Sequence, residues 1–452
     1  MYQLQRPATA LYTYVQAGRY AALPHESFKF VVEVSELANI EQTKSSDKSG
    51  LKYFLAALGP GFILAATSIG PGSIVSSTNA GANFGYNLFW WFIVMLVFRA
   101  VFSLAMNRYT VVTGKPLMVG IREKYGKVWA VLAGVFAFLG QCVYGIGNFM
   151  GCGLGMNMLF PGLPVKYGGL IALVICAVLF FLKNLYHKME TVMKVLVGIM
   201  AIIFIISLIG TAGIPYDGTV SHSIVGMPAG SMALMLSLLG TTASLGTCAW
   251  GSSLAKEKGY TTRDIDQGGL RIDVIVGVIA IGVISLCCFF VGANLLPGAP
   301  IKNGMDLLSA LSGLLGAWVR PVFGIGFLAA AISSFMMAPK LGINLLLQSL
   351  DKDSGMENKA ENIISILMLV FAAVVGFLYS GVPAQLLTLA QIGGVINTPI
   401  LGIMTILLCN RKDEMGRYRV GKGFTVVLSI AYLFVMITVI NNLITIVGKF
   451  LA

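Results

Sequence analysis

The chain has 452 residues, of which 57% are hydrophobic and 11% charged, with a mean hydropathy of +0.83. So few charges exclude a soluble globular domain of this length. Apolar runs of about 18–25 residues, each long enough to cross a bilayer, recur from Tyr53 to the C-terminus. The formal net charge of +12 does not point to nucleic acid, because the basic residues lie mostly in short loops between the apolar runs. Such loops are expected on the cytoplasmic side of a membrane.

Residues 1–50 are polar and end in EQTKSSDKSG, a linker composition. They contain no apolar h-region and do not read as a signal peptide. The expectation is a cytoplasmic N-terminal tail, with residues 51–452 forming a transmembrane domain. Eleven spans are predicted, at about 53–82, 87–112, 128–159, 167–183, 190–211, 229–254, 271–295, 320–348, 361–380, 384–409 and 423–447. The loops GKPLMVGIREKYGK, KNLYHKMETVMK, KEKGYTTRDIDQGGLR, DKDSGMENKAEN and NRKDEMGRYRVGKG are rich in Lys and Arg. The intervening loops carry few or none. This bias predicts a multi-pass protein of the plasma membrane with its N-terminus cytoplasmic and, the count being odd, its C-terminus outside.

Two spans are interrupted, the first at SIGPGS and the sixth at TTASLGTCAWGSS. Pro71 lacks an N–H and its ring clashes with the preceding turn, while Gly70 and Gly72 permit unusual dihedrals. The freed N–H and C=O groups cost several kcal/mol in hydrocarbon unless satisfied. Either segment alone also reads as a proline kink or a glycine packing notch. Together, five spans apart, they predict an inverted repeat with a binding site at the bilayer midplane. Repeat one then covers about 53–211, repeat two about 229–409, and 423–447 is an extra helix.

All seven cysteines fall within or beside apolar runs with no C-x-x-C spacing, which reads as packing rather than disulfides or zinc. His25, His187 and His222 lie outside the predicted spans. With no nucleophile–base pair and no phosphate loop, neither an enzyme nor a cofactor is expected.

The segment LGPGFILAATSIGPGSIVSSTNAGANFGYNLFW resembles the first-helix signature of the NRAMP (natural resistance-associated macrophage protein) divalent-metal transporters. MNRYTVVTGKPL, MGCGLGMNMLFPG, WGSSLAKEKGY and LLTLAQIGGVINTPILGIMTILLCNRKDEMG resemble the ends of that family's second, third and sixth helices and its tenth helix. The resemblance runs from about Gly59 to Gly416. It implies an all-α LeuT-type fold of about eleven helices, a 5+5 inverted repeat with helices 1 and 6 unwound, and alternating access.

The family's functional residues mostly do not carry over. Its first break reads Asp-Pro-Gly-Asn, with the Asp and Asn on the metal; here the positions are Gly70-Pro71-Gly72-Ser73. Its sixth-helix Met ligand and the His two residues later fall on Ser244 and Gly246. Acidic residues of its third helix, tied to proton movement, fall on Gly145 and Asn148, and only the tenth-helix glutamine, Gln391, is retained. Removing a bare dication from water without a carboxylate is severely unfavourable. The remaining groups are Ser68, Ser73, Ser77, Asn79, Ser244, Thr247, Gln391 and the backbone. Such neutral groups suit a hydrated cation such as Mg²⁺, which keeps its waters.

Arg99, halfway along the second span, is costly in a membrane and marks either an anion partner or a structural bond to helix-end carbonyls. Lys340, nearer a span end, is expected to snorkel. Cys248 shares a helix face with Ser244 and offers a thiol in place of the lost soft ligand, or simply packs.

Three functions follow. The first is an NRAMP-like transporter of a hydrated divalent cation (Mg²⁺ or Mn²⁺) without the family's proton coupling, its coupling either absent or to Na⁺. Its substrate-binding residues are Gly70, Gly72, Ser73, Ser244, Gly246, Thr247 and Gln391, with Ser73, Ser244 and Gln391 holding the metal through water. The second is a transporter of a small polar or carboxylate-bearing solute that uses Arg99. The third is a non-transporting sensor. The partners are a small ion or solute and the bilayer, with no nucleic acid.

Overall fold

The computed structural model describes residues 59–181, 184–210, 223–298, 301, 304–379, 391 and 393–451, the last stretch by backbone alone beyond residue 440. The N-terminal tail, His25, His222 and most of the predicted tenth span before Gln391 lie outside the described residues.

The first span is two helices, α1 (Pro60–Ser68) and α2 (Pro71–Phe84). A 3₁₀ turn leads to α3 (Phe89–Thr113), the short α4 (Leu117–Tyr125), α5 (Lys127–Leu159), α6 (Val165–Phe180) and α7 (Leu185–Gly210). The sixth span is again split, into α8 (Ser231–Thr242) and α9 (Leu245–Glu257). After it come α10 (Thr262–Asp266), α11 (Gly269–Leu295), α12 (Gly304–Leu315), α13 (Val319–Ser349), α14 (Lys359–Leu378), α15 (Thr398–Cys409), α16 (Lys412–Met415) and α17 (Lys422–Leu451). Strands are absent among the described residues. The fold is an all-α membrane bundle with two broken spans, and apolar side chains such as Val174, Val178, Ile202 and Leu367 face outward where lipid would lie. The α12 helix, between the seventh and eighth spans, was not expected from the sequence.

The packing reflects the repeat. Helix α5, third in repeat one, runs against α13, third in repeat two, in the most extensive contact of the fold. The second span packs along the sixth (α3 on α9), and the seventh packs along the first (α11 on α2 and α1). Small residues permit this closeness. A methyl group at Gly81 or Gly292 would overlap the facing backbone of α11 or α2.

The five basic loops gather at one end. Arg122 reaches Asp351 at 3.5 Å, Lys124 reaches Glu414 at 3.0 Å, and Arg417 reaches Asp266 at 3.4 Å. The Tyr186 N–H donates to Glu357 at 3.2 Å, and the Met356 N–H donates to Glu257 at 3.1 Å. Exposed pairs of this kind stabilise little, but they fix which loops share an end.

At the same end, Asp273 of α11 is 1% exposed and accepts from the Gly59 N–H at 2.7 Å and the Gly61 N–H at 3.0 Å. Its carboxylate satisfies donors that the first turn of α1 leaves free and complements the helix dipole. Lys340 does not snorkel. It is fully buried and pairs with Glu361 at 2.9 Å while donating to the Gly355 carbonyl at 3.2 Å. Glu361 also accepts from the Gly355 N–H at 2.8 Å and from Asn344 Nδ2 at 3.2 Å. A charge this deep persists because every neighbour answers it.

Candidate functional site

The first break begins inside α1. Thr67 and Ser68 donate their hydroxyls to the carbonyls four residues back, Ile63 O at 2.7 Å and Leu64 O at 2.8 Å. Side-chain bonds of this kind compete with the helix ladder. Ile69 leaves helical geometry, Gly70 is extended (φ −106°, ψ 175°), and Pro71 opens α2 at its first position, where a missing N–H does no harm. Two of the carbonyls left free lie within reach of donors. Ser333 Oγ of α13 is 3.0 Å from Ala66 O, and the single Ser334 hydroxyl lies 3.1 Å from both Ala66 O and Thr67 O. The α5 backbone gives way to the proline: a methyl group at Gly151 would overlap the Pro71 ring.

The second break is two residues, Ala243 and Ser244. Ser244 does not cap α9. Its hydroxyl donates instead to Gly394 O at 3.0 Å, tying the break to the tenth span. That span is itself interrupted, since residues 394–397 form a turn ahead of α15. Here α5 and α8 meet it backbone to backbone: a methyl group at Gly140 would overlap Gly393 O, and one at Gly240 would overlap Gln391 O.

Between the breaks lies a cavity of about 10 Å³ lined by Thr67, Ser68, Gln141, Tyr144, Gly240, Thr241, Thr247 and Gly394. This is room for about one water-sized occupant. The lining side chains are hydroxyl and amide only. Gln141 is 6% exposed and its Oε1 has no partner; leaving such an atom unpaired costs about 1–3 kcal/mol. An occupant that donates, or a cation, would satisfy it. Among the described residues no three His, Cys, Asp or Glu side chains cluster as metal ligands.

The predicted residues divide around this cavity. Thr247 lines it, and Ser244 is bonded to its wall at Gly394. Gly70 faces α5 and α13: a methyl group there would sit 2.7 Å from Tyr144 Oη, 3.0 Å from Ser334 Oγ and 3.1 Å from Asn148 Oδ1. Polar atoms thus fill the space an aspartate would need. Gly72 lies under Gln391, whose amide nitrogen a methyl group would overlap. Gln391 Oε1 accepts from Ser76 at 2.9 Å and from Ser237, so it holds α2 to α8. Ser73 is buried, and Gly246 faces Asn397. Asn79 turns away to Ile301 O at 2.9 Å, and the buried Ser77 hydroxyl has no partner. Cys248 accepts from Ser103 Oγ of α3 at 3.2 Å and does not line the cavity. Of the two third-span positions, Asn148 faces the break and Gly145 faces Ala372 instead.

Sequence reasoning missed Gln141 and Tyr144. Their spacing to Asn148 (141, 144, 148) is the signal, three polar residues along one helix face.

Arg99 is 1% exposed. Its Nη1 donates to Thr242 O at 2.8 Å and to Ser68 Oγ at 2.9 Å, and its Nη2 donates to Leu64 O at 3.3 Å. It therefore holds the carboxyl ends of α1 and α8 together. It lines a second small cavity, shared with Ser103 and Asp273, and not the one between the breaks. Each helix end carries roughly half a negative charge, so two of them roughly offset one guanidinium.

A bundle of two five-span repeats, each opened by a broken helix and enclosing a small polar cavity at the breaks, defines a secondary-transporter fold of the LeuT type. The profile of the family described as "Natural resistance-associated macrophage protein-like" matches residues 61–445. The chain belongs to the NRAMP family. It is 26% identical to the divalent metal cation transporter MntH of Erwinia tasmaniensis over 315 residues, covering 68% of this chain and 75% of that protein. It is 24% identical to the metal transporter Nramp3 of Oryza sativa subsp. japonica over 415 residues, covering 86% and 74%. Its fold matches a crystal structure of the Eremococcus coleocola manganese transporter with a TM-score of 0.71 at 15% identity, covering 86% of each chain.

Proposed function

We propose that this protein carries a divalent metal cation across the membrane by alternating access. It takes the ion with part of its water shell and without a proton route along the third span. The observation that carries this reading is the chemistry of the cavity between the breaks, whose polar side chains are hydroxyls and an amide, without a carboxylate. In the conformation described the cavity holds one water-sized occupant, so it must widen to admit an ion with its waters and widen further for an organic solute. Family membership and the names of the relatives support a metal cargo.

Neutral oxygens cannot replace the whole hydration shell of a dication, so an ion that retains waters, Mg²⁺ ahead of Mn²⁺, is favoured. The absence of sulfur from the lining supports the same order, since thioether and thiolate ligands select softer metals. Along α5 no residue is Asp, Glu or His, which supports the missing proton route. The solute reading depended on Arg99, and both terminal nitrogens of that side chain are bonded to oxygens of α1 and α8. The positive-inside rule supports a cytoplasmic position for the end that carries the five basic loops.

The test is uptake into proteoliposomes. Mg²⁺ or Mn²⁺ accumulation that is lost in Thr247→Val supports the reading. No flux of either ion, together with thermal stabilisation by an amino acid or carboxylate, overturns it in favour of an organic cargo.

A further inference from the structure

Arg99 stands where two negative poles meet. Three oxygens converge on its terminal nitrogens: Leu64 O from the middle of α1, Thr242 O from the end of α8, and the hydroxyl of Ser68, the last residue of α1. Ser68 gives its own proton to Leu64 O at 2.8 Å and so offers Arg99 a lone pair. Among the described ion pairs, none involves Arg99. Its positive charge is balanced by helix ends and not by a carboxylate in direct contact.

Carbonyl ends of half-helices at the membrane midplane are the places where broken-helix transporters coordinate a coupling cation. Hard oxygen ligands without a soft donor suit an alkali cation. A guanidinium fixed on that spot excludes one.

We propose that Arg99 is a tethered cation. It permanently fills the position that a monovalent coupling cation would occupy between the carboxyl ends of the two half-helices, and it makes this transporter independent of a sodium gradient. Removing the side chain while keeping the three oxygens leaves an oxygen-lined site that takes Na⁺ or free guanidinium.

The experiment compares wild type, Arg99→Ala and Arg99→Lys, each as the full chain in detergent. Melting is followed while NaCl, or millimolar guanidinium chloride, replaces choline chloride at constant ionic strength. Wild type and Arg99→Lys should show no Na⁺-specific shift. Arg99→Ala should melt lower in choline and recover several degrees in Na⁺ or guanidinium, rising with the logarithm of concentration as ligand linkage requires. On a solid-supported membrane, Na⁺ should evoke a charge movement in Arg99→Ala and none in wild type. A Na⁺-specific shift or current in wild type overturns the proposal. So does an Arg99→Ala protein that no cation stabilises, including one that stays unfolded in every buffer. The readout is cation binding to the protein itself, so its failure is separable from a wrong cargo.

Discussion

Arg99 and Asp273 hold opposite ends of one nine-residue helix. Asp273 takes the free N–H groups at the start of α1, and Arg99 takes the Ser68 hydroxyl at its end and Leu64 O midway along it. Each charge matches the sign of the dipole it faces. Helix α1 is too short to be stable alone, so its position is set by these two clamps and by its packing against α11.

Asp273→Asn should loosen the basic end of α1 without unfolding the bundle. The amide retains one acceptor oxygen but loses the charge, and a buried charged hydrogen bond is worth about 1.5–3 kcal/mol. The expected result is a modest fall in melting temperature with faster hydrogen exchange confined to residues 59–68. Exchange that rises uniformly across the spans would contradict a local clamp.

Gly70→Asp restores the residue that the family resemblance implies, yet it should not restore tight Mn²⁺ binding. The new carboxylate would enter the space of Tyr144 Oη, Ser334 Oγ and Asn148 Oδ1. Overpacking costs about 1–3 kcal/mol, and the charge adds desolvation. Calorimetry with Mn²⁺ should show no gain in affinity for the single variant. A gain of tenfold or more would mean that the polar cluster yields easily.

Gln141→Leu separates stability from transport. Deleting an unpaired buried oxygen should leave the fold as stable or more so, by up to about 1–3 kcal/mol. Uptake should fall at least tenfold, since the cavity loses an amide acceptor that has no other partner. Parallel losses in melting temperature and uptake would show that Gln141 serves only the fold.

Lys340→Met leaves the Glu361 carboxylate buried without its cation, an expected loss of about 3–5 kcal/mol. The double variant with Glu361→Leu should regain most of it, with a coupling energy readable from a double-mutant cycle of melting in denaturant. An additive result would mean that the pair is not coupled.

Uptake should be insensitive to an imposed proton gradient between mildly acidic and neutral pH. The check is accumulation measured with the gradient intact and collapsed by a protonophore. Accumulation that collapses with the gradient would point to a proton path that α5 does not supply.

Much of the fold was legible in the sequence because its signals are local. Long apolar runs matched the described helices of the second to ninth spans to within about five residues, and Gly70-Pro71-Gly72 marked the first break through plain backbone chemistry. The second break lies at Ala243–Ser244, inside the quoted stretch, with a serine in place of proline. The cavity was less legible because it depends on which faces meet. Gln141 and Tyr144 are ordinary polar residues until α5 turns them toward Thr67 and Gly240. Gln391 matched a family position, but its side-chain oxygen joins Ser76 and Ser237. Lys340 looked like a span-end residue because its partner, Glu361, arrives from α14 and nothing in either segment announces the other.

The Arg99 bridge has a mechanical meaning. Leu64 belongs to one repeat and Thr242 to the other, and both report to a single side chain on α3. Neither half-helix can swing away without releasing a bond that the other shares. The arrangement works as an interlock: one side chain senses both half-helices, so a movement of either is felt by the other, as a cycle that opens one side at a time requires. Labels placed on α1 and α8 should therefore change their distances from α3 in one step.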